Sequence, residues 1–240
     1  MTARPRVPPA YRLVTAEEAG DAVAEARRRA AEGAEDGTLV WAPGPPGAAD
    51  GNLHCAVILR PDEPEAAADQ FVFVGALALG DAIGALITPG FDIACRWPGR
   101  ILVQGGVVAE AAVGIDAADT PEWIVVGAEV FLTEAPERPQ GAVSFVEQCS
   151  ERVDAVEMLE AFSRHFLVWT NTWMDGGFAP LGEAWKRRAQ GLGEDLAVGG
   201  EEEAPHGTFS DIDDGGRLIL VAADGTRHAV RSAGAPSALP

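Results

Sequence analysis

The chain has 240 residues, enough for one medium domain and a small one, and its 47% hydrophobic content suits a buried core. Its 37 acidic and 18 basic side chains leave a formal charge of −19, which repels phosphate backbones and anionic lipid and argues against nucleic-acid and membrane-surface roles. Cys55, Cys95 and Cys149 form no C-x-x-C pair, so neither a disulfide framework nor a structural zinc site is expected, and a reducing, cytoplasmic setting fits.

Arg4 and Arg6 are followed by no apolar stretch of the kind a secretory signal requires. Thr15 and Glu18 have the spacing of a capping box. Ala19, Ala22, Val23, Ala26 and Ala30 then recur at helical spacing, and Gly33 and Gly37 end the predicted helix. Thr38 to Trp41 reads as a strand and is followed by a loop rich in Pro and Gly, Pro43 to Gly51. Leu53, Cys55, Val57 and Leu59 alternate with their neighbours at the period of a strand, which Pro61 and Pro64 break. Ala66 to Ile87 reads as a buried helix in which Gly75, Gly80 and Gly84 permit close packing. Its most apolar part, Phe71 to Ile87, is short for a bilayer span and contains Asp81.

Three strands are expected at Asp92–Trp97, Ile101–Val103 and Val107–Val113, the last two joined by a tight turn at Gln104-Gly105-Gly106. Trp123 to Leu132 is a further strand after the loop Asp116 to Glu122. Val153, Val156, Leu159, Phe162, Phe166 and Trp169 form one apolar helix face, with Ser150 as its expected cap. Pro180 opens a short helix carrying Leu181, Ala184 and Trp185. From about Leu192 four short strands are expected: Leu196–Val198, Gly207–Ile212, Leu218–Ala222 and Thr226–Val230. Asp213-Asp214-Gly215-Gly216 and Asp224-Gly225 supply turns between them, and Glu201 to Glu203 is an acidic loop tip. Asp211 to Asp214 has the look of a calcium loop but lacks the glutamate at its twelfth position, and the four histidines are far apart, so no metal ligands are assigned.

One stretch carries a family signature. Arg96-Trp97-Pro98-Gly99-Arg100-Ile101-Leu102-Val103-Gln104-Gly105-Gly106-Val107-Val108-Ala109 resembles the Lys-Trp-Pro-Asn-Asp strand, hairpin and Lys-bearing strand of the biotin/lipoate protein ligases. Gly37 to Ala42 resembles the strand entering that family's nucleotide loop, and Gly51-Asn52-Leu53 resembles its exit. Ile124-Val125-Val126-Gly127 resembles a strand ending in Gly-x-Gly-x-Asn, and Phe178-Ala179-Pro180 with Trp185 resembles the segment leading to a C-terminal barrel. The similarity runs in order from about Tyr11 to Val230, without the helix-turn-helix domain that some members carry.

The resemblance implies an α+β fold, a class II synthetase-like mixed sheet with helices, followed by a small C-terminal SH3-like β-barrel. The implied division is 1–191 for the catalytic-type domain, 192–232 for the barrel and 233–240 for a tail. It implies ATP-dependent attachment of biotin, or lipoate, to a lysine of a biotinyl- or lipoyl-type carrier protein, with Mg2+ beside the phosphates; a homodimer is left open. Arg96 and Arg100 would face the phosphates, Trp97 with Gly105 and Gly106 would shape the acyl pocket, Asn52 would help fix the ligand, and Val107 takes the place of the family's lysine. No catalytic residue is assigned.

The departures are chemical. Pro43 to Asp50 carries no base where the family has Gly-Arg-Gly-Arg, Gly99 and Arg100 replace the Asn and Asp, and Phe131 stands at the Asn. Glu110 replaces a glycine near the ligand, so its carboxylate binds a cationic ligand or faces solvent. The alternative reading is therefore a degenerate ligase fold that binds an acyl cofactor, a nucleotide or a carrier domain without ligation. The same residues also have plain structural readings: Trp97-Pro98 as a strand end, Arg96 as a surface strand residue, Gly105 and Gly106 as turn glycines, and Cys95 as a buried thiol.

Overall fold

The computed structural model describes residues 4–16, 21–43, 51–118, 121–133, 142–150, 152–198 and 205–232. Glu18 of the expected capping box, loop residues 44–50 and the acidic tip at 201–203 lie outside these. In chain order the first elements are β1 (Arg12–Thr15), α1 (Ala22–Ala31), β2 (Thr38–Trp41), β3 (Leu53–Leu59) and α2 (Pro64–Leu86). Then come β4 (Ile93–Arg96), β5 (Arg100–Val103), β6 (Gly106–Ile115), β7 (Ile124–Val130) and α3 (Phe145–Cys149). The chain continues with α4 (Ala155–Gly176), α5 (Ala179–Lys186), β8 (Asp195–Ala197), β9 (His206–Ile212), β10 (Leu218–Val221) and β11 (Arg227–Val230).

Seven strands form a mixed sheet in the order β1-β2-β3-β7-β6-β5-β4. Only the edge pair β1–β2 is parallel, because α1 crosses between those two strands; the remaining pairs are antiparallel. That crossover sets α1 on one face, where Ala22, Ala26 and Ala30 pack on Val40, Ala56, Ile58 and Val125. The other face carries Leu39, Cys55, Val57, Ala111 and Val126 into the main core beneath α2 and α4. A Cβ at Gly75 would stand 2.9 Å from the Ala111 Cβ, so glycine there is what lets α2 lie flat on β6. α2 is long and apolar enough to cross a bilayer, yet 83% of its most apolar window is buried inside the protein, as expected of a core helix.

Two expected caps are corrected. Thr15 ends β1 opposite Trp41, and α1 begins later, where the Asp21 carboxylate accepts from the backbone N–H groups of Val23 (2.8 Å) and Ala24 (3.0 Å). Ser150 does not start the long helix. It closes α3 in the left-handed conformation (φ 57°), and α4 starts at a capping box of Asp154 and Glu157.

The C-terminal strands form an antiparallel sheet in the open order β11-β10-β9-β8. Phe209 inserts against Trp185 (ring centroids 6.3 Å apart), and Trp185 packs edge-on to Phe73 (5.4 Å). The core is therefore continuous from α2 into this sheet. A buried polar clamp reinforces the join: the Asp69 carboxylate accepts from Arg231 Nε (2.7 Å) and Ser232 Oγ (3.1 Å).

Candidate functional site

Strand alternation sends His54, Glu110, Ala112, Gly127 and Glu129 to the face that α1 only partly covers. α1 approaches closely because position 127 has no side chain; a Cβ there would fall 2.5 Å from Val23 Cγ2. Beside the helix start remains a cleft of about 440 Å³, walled by Asp21 to Val23 and floored by His54, Glu110 and Glu129.

The floor belongs to a row of ionisable residues on five adjacent strands. His54 on β3 lies opposite Glu129 on β7, which lies opposite Glu110 on β6, Arg100 on β5 and finally Arg96 on β4. His54 Nδ1 is 3.4 Å from Glu129 Oε1, and Arg100 Nε is 3.8 Å from Glu110 Oε2. Arg100 is only 4% exposed, so its guanidinium is committed to this sheet face. Beyond it, Arg96 turns to Gln190, donating from Nε (2.9 Å) and Nη2 (2.6 Å) to the amide oxygen.

The other residues singled out in the sequence take different places. Asn52 is buried, and its Oδ1 accepts from the backbone N–H of Thr133 (3.0 Å), tying the start of β3 to the chain beyond β7. Trp97, joined to Pro98 by a cis peptide, is 1% exposed within the core on the α2 side. Odd positions of β4 face the helices and even ones the cleft side, so Trp97 and Glu110 lie on opposite faces. Gln104 (φ 50°) and Gly105 (φ 82°) form the expected tight turn, with Gly105 open to solvent. A Cβ on Gly106 would meet Val143 at 2.5 Å, so this glycine seats the segment before α3.

Val107 is 6% exposed in an apolar cluster with Leu102 and Phe131, covered by Ala94 and Ala142. The space beside it is thus filled by side chains. Among the described residues, Trp97 packs into the core on the α2 side, and the cleft beside α1 lies over β6, β7 and β3. The sequence reading missed His54, Glu129 and Asp21 as site residues. Alternation along β3 signals the face of His54, but the adjacency of β3, β7 and β6 is not sequential.

In chemical terms the floor offers two carboxylates and an imidazole, and its deepest cation is engaged by Glu110. Carboxylates attract cations and repel phosphate. Among the described residues no three His, Cys, Asp or Glu side chains converge as metal ligands.

The profile of the biotin/lipoate A/B protein ligase family matches residues 7–187. A biotin--[acetyl-CoA-carboxylase] ligase of Paracoccus denitrificans is 36% identical over 177 residues, 71% of this chain and 74% of the relative. The bifunctional ligase/repressor BirA of Bacillus subtilis is 24% identical over 188 residues, and the match spans 74% of this chain but only 56% of BirA. A biotin protein ligase-like protein of unknown function from Silicibacter sp. TM1040 superposes with a TM-score of 0.81 at 25% identity, covering 95% of this chain and 97% of that one. The biotin protein ligase of Aquifex aeolicus in complex with biotin and ATP shares the fold, with a TM-score of 0.72 at 17% identity over 92% of this chain and 95% of that one.

Proposed function

Because the chain belongs to the biotin/lipoate A/B protein ligase family, we propose that it acts as a biotin protein ligase-like protein, using ATP to join biotin to a lysine of a carrier protein. The observation that carries this reading is the 36% identity across 177 residues with the Paracoccus denitrificans biotin--[acetyl-CoA-carboxylase] ligase. The uncovered sheet face at the start of α1 supports it as the ligand side of the molecule. On this reading Arg100 anchors the floor through Glu110, and Asn52 fixes the strand that presents His54. Lipoate is the second acyl group to test, and Mg2+ accompanies ATP. The C-terminal sheet, 192–232, is read as a divergent counterpart of the SH3-like barrel, and three buried cysteines outside any disulfide suit the cytoplasm.

Incubation with labelled biotin, Mg-ATP and a biotin carrier domain is expected to yield pyrophosphate and a labelled carrier. The absence of both products would remove the reading.

A second reading, a ligase fold that binds without ligating, is favoured by one observation: Val107, in the place of the family's lysine, is packed into an apolar cluster. Thermal shift separates the two. An acyl ligand that stabilises the protein equally with and without ATP supports binding alone, and a joint effect supports ligation.

A further inference from the structure

We infer that the side chains of this protein are inert toward the activated acyl group that a ligase makes, because none of them offers an unpaired amine or an exposed thiolate to capture it. This rests on the ligase reading. An acyl–phosphate anhydride reacts when a neutral amine or a thiolate attacks the acyl carbon. The new C–N or C–S bond forms, the C–O bond to phosphate breaks, phosphate leaves with the electron pair, and an attacking amine gives its proton to solvent. Among side chains the acceptors of this kind are lysine and cysteine, and both are controlled here.

Seventeen of the 18 basic residues are arginine, whose guanidinium stays protonated and does not attack; Lys186 is the sole lysine. Lys186 ends α5, and its Nζ lies 3.3 Å from Asp211 on β9 and 3.5 Å from Glu183 one turn earlier. Partial burial favours loss of its proton, but the two carboxylates outweigh that and raise the pKa, so the amine is held as ammonium. All three cysteines are buried, and none is in a disulfide. Burial pushes the Cys55 thiol up, and it pushes Cys95 up to about 12. Cys55 shows how narrow the margin is. It follows His54 on β3 directly beneath the cleft, and alternation turns its sulfur to the α2 side at 1% exposure. A one-residue slip of that strand would put a thiol into the cleft.

The test needs neither ATP nor a carrier. The intact chain is treated with the N-hydroxysuccinimide ester of biotin near neutral pH, with Nα-acetyl-lysine methylamide as the rate standard, and labelling is located by peptide mass spectrometry. Lys186 is expected to react at least about fivefold slower than the standard, since each unit of raised pKa removes tenfold of the neutral amine, and the cysteines are expected to stay unlabelled. Glu183→Gln with Asp211→Asn is expected to bring Lys186 toward the standard rate; Glu183→Gln alone, confined to the surface of α5, is expected to go part of the way. Arg227→Lys, at an exposed position of β11, is expected to label near the standard rate. Reaction of wild-type Lys186 at the free rate, label on a cysteine of the folded chain, or an unchanged rate in both carboxylate variants would overturn the inference. A chain that ligates but labels readily keeps the ligase reading and loses this one, and a chain that resists the ester but never ligates does the reverse.

Discussion

Glu110 and Glu129 stand directly opposite each other on neighbouring antiparallel strands, and each has a cation partner on its outer side, Arg100 for the first and His54 for the second. Like charges in register on a sheet oppose pairing by roughly 0.2–1 kcal/mol. The row persists because the flanking groups offset that repulsion, and they do so unequally. Arg100 is 4% exposed, whereas the His54 side chain is 23% exposed and forms an ion pair only when protonated.

The inequality predicts different costs for two matched substitutions. Glu110→Gln takes a charge from beside a buried guanidinium and is expected to destabilise the fold by about 2 kcal/mol. Glu129→Gln removes the repulsion and a partly exposed His contact together, and is expected to stay within about 0.5 kcal/mol of the parent. Urea denaturation of the two variants checks the order. Equal effects would mean that Arg100 does not depend on Glu110.

The fold was legible where the signal was local. Alternation marked β3, and alanines at helical spacing marked α1, where burial of Ala22, Ala26 and Ala30 on one face writes its period into the sequence. Both cap errors arose where several capping residues compete within a few positions: Asp21 displaced Thr15, and Asp154 displaced Ser150. β1 was missed because four residues at a sheet edge, two exposed and two half-exposed, carry little pattern. The site was less legible than the fold. The charged row depends on which strands lie side by side, and the order β3-β7-β6 cannot be read along the chain. Alternation also leaves open which face of the sheet is covered: Trp97, central to the recognised motif, packs on the α2 side, away from the cleft beside α1.

Val107 offers a test of repair. Val107→Lys would restore the family's residue type but would begin inside the Leu102–Phe131 cluster at 6% exposure. An ammonium there must reach solvent past Ala142 or lose its charge, and the expected cost is about 2–3 kcal/mol. No gain in adenylate formation is expected unless neighbouring side chains move. A variant with unchanged stability and raised pyrophosphate release from biotin and ATP would contradict this placement.

Trp97 is expected to matter for stability and not for ligand affinity. Its indole is 1% exposed, and its Nε1 has no hydrogen-bond partner among the described residues. Trp97→Phe therefore strands no polar group and is expected to cost about 1–2 kcal/mol, whereas Trp97→Ala leaves a cavity worth about 3–5 kcal/mol. Biotin affinity of the folded Phe variant, measured by calorimetry, is expected to match the parent. A tenfold loss without destabilisation would put the ring in contact with ligand.

Glu25 gives the clearest pH dependence. On α1 its carboxylate receives Arg28 Nη2 at 2.8 Å and Arg29 Nε at 2.7 Å. Arg28 first, and Arg29 with it, outweigh the effect of burial and hold the carboxyl down to about 2 from its ordinary value of 4.5. A folded-state pKa below the unfolded one means that the folded chain prefers the deprotonated form. The stabilisation is therefore complete above about pH 5 and is lost as the pH falls through the interval down to about 2. The stability gap between the parent and Glu25→Gln should be constant from neutral pH to about 5, then close on acidification. It should also shrink in salt, because the Arg28 side chain is 51% exposed and screened by solvent. Paired urea titrations across that range measure the gap directly. A gap that persists at the acid end would mean that Glu25 acts through packing on α1, since packing, unlike an ion pair, does not need the charge.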